Sequence, residues 1–144
     1  MNFLQRATIC LSTLLLGVSL SMPAMAADAT LFDELGGKSG IDQIVAELLP
    51  IIQADPRINT FFAKTDMKQL GVLLGEQFCQ LAGGPCTYSG RDMVISHDAM
   101  GVRAAHFNAL AEDLQIAMEN CKVPSSAANQ LVAKLAPMKR AIVR

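Results

Sequence analysis

The sequence predicts an all-α fold, and three observations carry that expectation. Apolar residues recur at three- and four-residue spacing, as in Ile41, Ile44, Val45, Leu48, Leu49 and Ile52, which is the period of one helical face. No segment shows the competing alternation that a half-buried strand needs. Glycine-rich breaks, Gly36-Gly37 and the GGP that starts at Gly83, follow the periodic segments where helices end.

From the first residue, the chain reads MNFLQR, then the apolar run ATICLSTLLLGVSL, then SMPAMA. A positive leader, an apolar stretch below spanning length and the small residues Ala24 and Ala26 read as a secretory signal peptide, residues 1–26. Cys10 lies inside the apolar run rather than at its end, which argues against a lipid-anchored cysteine. Residues 27–144 are then a single exported domain, expected in a bacterial periplasm.

The helices follow in order. The spacing predicts a short first helix over about 29–35 and a second over about 40–54, with Pro50 expected to kink it. ADPRIN reads as a turn and leads into Phe61-Phe62. A third helix starts at Asp66 as N-cap and ends near Leu81, with Leu70, Leu74, Gln77 and Phe78 along one face. TYSGRD is a loop, and a short helix containing His97 comes next. A helix over about 103–121 aligns Phe107, Leu110, Ala111, Leu114, Met118 and Cys121. After KVPSS, with Ser125 or Ser126 as cap, the last helix carries Leu131, Leu135, Met138 and Ile142 and is interrupted at Pro137. That makes six or seven helices in one domain.

Charge excludes some partners. With 12 basic and 13 acidic residues, the chain has no electrostatic footprint for nucleic acid or for anionic membranes. After removal of the leader no apolar run reaches membrane length, so stable membrane insertion is not expected. Of the four cysteines, Cys79, Cys86 and Cys121 remain after processing. In an oxidising compartment Cys79 and Cys86, across a helix end and a turn, are the favoured disulfide pair. Zinc is the weaker alternative, since no C-x-x-C spacing occurs.

No motif marks a catalytic residue: there is no G-x-S-x-G elbow, Walker loop or H-E-x-x-H. His97 is the unusual residue, set in ISHDAMGV with Ile95, Met100 and Val102 reading as buried flanks. Helical spacing puts it on one face with Met93 and Met100. On that pattern alone, a structural histidine satisfied by one backbone carbonyl is the default.

Five segments change the balance: LGGKSGI from Leu35, ADPRINTFF from Ala54, GGPCTYSGRDM from Gly83, HDAMGVRAAHF from His97 and LAPMKRAIV from Leu135. In this order and at these separations, the chain resembles the group 1 truncated haemoglobins over essentially residues 31–143. The resemblance implies a truncated globin-like two-over-two helical sandwich around a haem, iron protoporphyrin of the b type. It makes His97 the proximal iron ligand, with the second ring nitrogen donating to a backbone carbonyl. Phe62 would pack on the porphyrin, and Leu70, Leu74, Met93, Val102, Phe107, Leu110 and Leu114 would line the cofactor. His106 matches a position the family does not use for iron and is expected on the outer part of its helix.

The far side of the iron departs from the pattern. Family members often hold oxygen with a tyrosine on the second helix and glutamines on the third. Here the matching positions are Leu49, Leu70 and Leu74, which with Gln77 and Phe78 make up the expected distal pocket. A bound oxygen molecule carries partial negative charge, so losing a donor worth about 1–3 kcal/mol lowers affinity roughly 5- to 150-fold. Fast oxygen release and relatively better carbon monoxide or nitric oxide binding follow. Gln77 is the polar candidate that remains, standing either at the rear of the pocket or as a gap-filling or surface residue. Tyr88, the chain's one tyrosine, is expected near the haem edge.

Reversible binding of a diatomic gas is thus the leading expectation for function. The alternatives are a haem redox enzyme (nitric oxide dioxygenase or peroxidase-like), which needs an outside electron donor, and a haem-free helical interaction module. An apolar distal face offers no acid–base group for oxygen–oxygen chemistry, which weighs against the enzyme.

Overall fold

A computed structural model describes residues 29–144. The expected signal peptide, residues 1–26, and Cys10 lie outside the described residues. Among the described residues seven α-helices form: α1 (Leu31–Glu34), α2 (Gly37–Ala54), α3 (Met67–Leu81), α4 (Met93–His97), α5 (Ala104–Asn120), α6 (Ser125–Leu135) and α7 (Lys139–Ile142). Two 3-10 turns complete the order, Asn59–Phe62 before α3 and Ala136–Met138 between α6 and α7. No strand occurs among the described residues.

Local chemistry accounts for the helix ends. Thr30 caps α1, its hydroxyl accepting from the Asp33 N–H while the Asp33 carboxylate accepts from the Thr30 N–H, a reciprocal capping box. The chain then turns through Gly36 at φ 82°, a left-handed conformation open to glycine at no steric cost. Asp66 caps α3 by accepting from the Gln69 N–H at 3.0 Å, as expected from the sequence. Asp92 caps α4 through the Val94 N–H at 2.8 Å.

The prolines behave differently from one another. α2 runs through Pro50 without interruption. Pro50 and Ala46, whose carbonyl loses its helical donor, are both exposed, so water replaces the missing bond. Pro137 does break the last helix, converting one turn to 3-10 geometry between α6 and α7. Neither Ser125 nor Ser126 caps α6. Pro124 holds that position with no side-chain bond, its fixed backbone serving as the helix start.

The core lies between two helix pairs. α2 packs against both α3 and α5, and α6 packs against α3 and α5. Ile41, Ile44, Leu48, Ile52, Met118 and Leu131 are fully buried in that layer. Gly71 lets α3 approach α2 closely: a Cβ there would stand 3.1 Å from Leu49 Cδ1 and 3.7 Å from Val45 Cγ1. Substituting a bulky side chain at Gly71 would overpack this crossing by about 1–3 kcal/mol. At the far end of α2, Arg57 reaches Asp55 at 2.8 Å and Asp113 of α5 at 3.7 Å, tying the turn before Phe61 to the α5 helix.

Candidate functional site

Below the α2–α5 layer, a cavity of about 620 Å³ opens between α3 and α4, within the roughly 300–1,000 Å³ range of small-molecule and cofactor sites. Leu70, Leu73, Leu74 and Phe78 of α3 form one wall, with Leu48 and Ile52 of α2 behind them. Met93, His97 and Met100 belong to the opposite side, and Phe107, Leu110 and Leu114 of α5 close the base. Polar groups gather at the exposed rim, among them Thr65, Gln69, Ser89 and Arg91.

His97 ends α4, and its geometry fixes its chemistry. Nδ1 lies 2.8 Å from the Met93 carbonyl oxygen. A carbonyl can only accept, so Nδ1 carries the proton and Nε2 keeps its lone pair. The imidazole is half-buried, lining both the main cavity and a smaller neighbour of about 70 Å³. An imidazole with one nitrogen committed to a carbonyl and the other presented at an apolar cavity is the donor set of an axial iron ligand. The residues present therefore fit a flat apolar cofactor with a metal centre.

The loop that delivers α4 is held in several places. Cys79 and Cys86 stand in disulfide geometry with Cα atoms 5.7 Å apart, while Cys121 is free. Gln80 Oε1 accepts from the Tyr88 N–H at 2.6 Å, and Glu76 accepts from the Ser89 N–H and hydroxyl at 2.9 and 2.6 Å. These bonds hold the Glu76 carboxyl below its ordinary pKa. Tyr88 lines the cavity and donates its hydroxyl to the Arg91 carbonyl.

Several sequence expectations need correction. Leu49 does not line the cavity; its side chain packs toward Gly71 while Leu48 and Ile52, one helical turn apart, face inward. Val102 is buried at 7% exposure but borders the smaller cavity, not the main one. Ile95 and Met100 are not buried, at 62% and 37% exposure. With His97 turned inward on so short a helix, Ile95 two residues earlier points the other way. His106 is half-buried rather than outer, borders the smaller cavity and packs its ring 4.9 Å from that of Phe61. Its Nδ1 accepts the Arg103 N–H at 3.1 Å, so it serves as a helix cap. Phe62, Leu70, Leu74, Met93, Phe107, Leu110, Leu114, Gln77 and Phe78 all line the main cavity.

Residues that the sequence did not single out include Leu48, Leu73 and the positions Leu135 and Met138 between α6 and α7. For Leu48 and Leu73 the helical period carried the signal, since each lies one residue from a position that was chosen.

A two-layer helical sandwich enclosing an apolar cavity with an imidazole in its wall is globin architecture. Residues 30–144 match the bacterial-like globin family. A group 1 truncated haemoglobin (GlbN) of a Nostoc species is 33% identical over 115 residues, which cover 80% of this chain and 98% of that protein. GlbN of Mycolicibacterium paratuberculosis is 29% identical over 113 residues, 78% of this chain and 83% of that one. Among solved structures, the Fe(III) form of Tetrahymena pyriformis truncated haemoglobin superposes with a TM-score of 0.77 at 25% identity, covering 80% of this chain and 98% of that one. The cyanomet two-over-two haemoglobin of Synechococcus, whose haem is covalently attached, gives 0.74 at 26% identity over the same shares. This chain belongs to the bacterial-like globin family and, within it, to the group 1 truncated haemoglobins. It is a haem-binding globin whose ligand is a diatomic gas, and the haem-free helical module is set aside.

Proposed function

We propose that this globin binds its haem through His97 and presents a largely aliphatic face to the gas, so that ligands are held by shape and apolar contact. One observation carries the reading: the His97 imidazole, its Nδ1 proton committed to the Met93 carbonyl at 2.8 Å, stands at the wall of an apolar cavity of about 620 Å³. When bound, the haem iron supplies an open coordination position for a diatomic molecule. The protein does the rest. Met93 fixes the tautomer and ring angle of His97, and Phe62, Phe107, Leu110 and Leu114 exclude water from the porphyrin faces. The exposed rim at Thr65, Gln69, Ser89 and Arg91 suits the porphyrin's carboxylate edge, which is stable only near water or a cation.

On the other wall, Leu70, Leu73 and Leu74 of α3 and Leu48 of α2 contribute no hydrogen-bond donor. Oxygen, the most polarised of the neutral ligands, is the one that such a wall favours least. We read the protein as a carrier, scavenger or sensor of nitric oxide or carbon monoxide with fast oxygen exchange. Spectral titration of the haem-loaded chain with oxygen and carbon monoxide tests this. An oxygen affinity above that for carbon monoxide would overturn it.

The same reading places the protein outside the cytoplasm, with the leader of residues 1–26 removed and Cys79–Cys86 oxidised. The leader's pattern and the 5.7 Å Cα separation of the cysteine pair support it. Cell fractionation together with the mass of the isolated chain tests it. A cytoplasmic protein retaining Met1–Ala26 would overturn it.

A further inference from the structure

The turn that follows α4 is strained and exposed, and it carries a thioether into the cavity wall. Ala99 at φ 57° and Gly101 at φ 66° are both left-handed, a conformation uncommon for a residue with a Cβ. Between them stands Met100, whose N–H donates to the His97 carbonyl at 3.3 Å. Met100 lines both the main cavity and its smaller neighbour, as His97 does, yet it is 37% exposed. Its side chain therefore lies at the boundary between water and the surroundings of the histidine. The other methionines among the described residues are better shielded. Met118 is fully buried, and Met67, Met93 and Met138 are half-buried. Met93 has a further protection, because its sulfur accepts from Gln77 Nε2 at 3.7 Å, which occupies a lone pair.

We propose that Met100 is a peroxide-reactive site whose oxidation loosens the haem from the His97 side. A lone pair of the Met100 sulfur attacks one oxygen of hydrogen peroxide, the oxygen–oxygen bond breaks and a sulfur–oxygen bond forms. Sulfur loses two electrons, and the second peroxide oxygen leaves as water, so the product is methionine sulfoxide. Its oxygen is a strong hydrogen-bond acceptor, and the neighbouring side chains Ile58, Phe61, Phe62 and Val102 offer it no donor. Oxidised Met100 turns to water instead, and the wall beside His97 opens. A methionine sulfoxide reductase restores the thioether, so the change is reversible. The effect on haem rests on the haem-globin reading above, whereas the oxidation itself does not.

The test treats the haem-free chain with hydrogen peroxide, removes the peroxide and maps the added oxygen by peptide mass. Met100 should be oxidised before Met67, Met93 and Met138, and Met118 last. Treated and untreated chains are then loaded with haem, and transfer of the haem to an acceptor globin is timed by the Soret band. Transfer from the native chain should become about 5- to 20-fold faster after peroxide, the effect of a polar group that the wall cannot satisfy. Met100→Leu, compared with its own untreated form, should change by less than about twofold, since leucine has no sulfur to oxidise. The free Cys121 is present in both proteins, so its oxidation cancels in that comparison. Met100→Gln, which makes the position permanently polar, should release haem faster than Met100→Leu with no peroxide added. Oxidation of Met93 or Met138 ahead of Met100, or equal acceleration in the native chain and Met100→Leu, would overturn the proposal. A native chain that gives no Soret band before any peroxide would instead overturn the haem-globin reading, and the peptide map would still decide whether Met100 is the reactive site.

Discussion

The Met93 carbonyl oxygen accepts the His97 Nδ1 proton at 2.8 Å across one turn of α4, so the short helix orients its own terminal side chain. α4 spans only Met93–His97, too short to be stable by itself, and depends on the Asp92 cap and on its packing against α7. His97→Ala should abolish stable haem retention while leaving the helical fold intact, because the half-buried imidazole contributes little to the core. Far-ultraviolet circular dichroism should be unchanged and the Soret band lost after gel filtration. Retention of a native Soret band would remove His97 from the iron.

Leu74 lines the cavity from α3 and, by the resemblance drawn from the sequence, matches a position where the family often has a glutamine. Leu74→Gln should therefore slow oxygen dissociation, by roughly 5- to 150-fold for a hydrogen bond of about 1–3 kcal/mol. Carbon monoxide dissociation should change far less. Stopped-flow ligand replacement measures both rates in one preparation. An unchanged oxygen rate would place Leu74 out of reach of the ligand.

How much of this site could be read beforehand depended on what each residue's signal was. His97 and Phe62 stood on the ordered segments, Leu70 and Leu74 on the apolar face of the third helix, and all four line the cavity. Leu49, placed in the pocket by its match to the family's tyrosine, does not line it, because about 100° of rotation per residue turns it to the α3 crossing while Leu48 faces the wall. The exposure of Ile95 and Met100 was equally hidden. An apolar letter beside a histidine reads as core, but α4 is a one-turn shelf with one inward face. The Gln77–Met93 contact joins residues on two elements, and no periodicity within either element encodes it. Pro137 broke its helix and Pro50 did not.

Asp113 introduces a pH dependence away from the cavity. It is 2% exposed on α5, its Oδ2 has no hydrogen-bond partner, and Arg57 Nη2 stands 3.7 Å from Oδ1. Burial, with the neighbouring Asp55 charge, pushes its pKa up to about 6, while hydrogen bonds from Arg57 hold Asp55 below the usual carboxylate range. A raised folded pKa means stability that is present below the unfolded value, near 3.8, and lost as pH rises through about 6. Asp55 works the other way, losing its contribution as pH falls below the unfolded carboxylate value. The native chain should thus gain roughly 1–2 kcal/mol relative to Asp113→Asn between pH 7.5 and 5. Urea unfolding at the two pH values measures the gain. A constant difference between the two proteins would mean that Asp113 stays ionised throughout.

Oxidised as proposed, the Cys79–Cys86 pair closes a short loop at the end of α3, with Cys79 fully buried and Cys86 half-buried. On the chain-entropy account a loop this short stabilises by roughly 2.5 kcal/mol, through the unfolded state more than through any native contact. Its loss should therefore lower stability without moving the cavity. The loop that follows keeps its own ties, from Tyr88 to Gln80 and from Ser89 to Glu76, and the Gly84 N–H still reaches the Cys79 carbonyl at 2.8 Å. Replacing both cysteines by serine should lower the urea midpoint by the equivalent of about 2–3 kcal/mol. The Soret maximum and the carbon monoxide affinity should stay as in the native chain. If haem affinity fell in parallel with stability, the disulfide rather than the side-chain ties would be what positions α4.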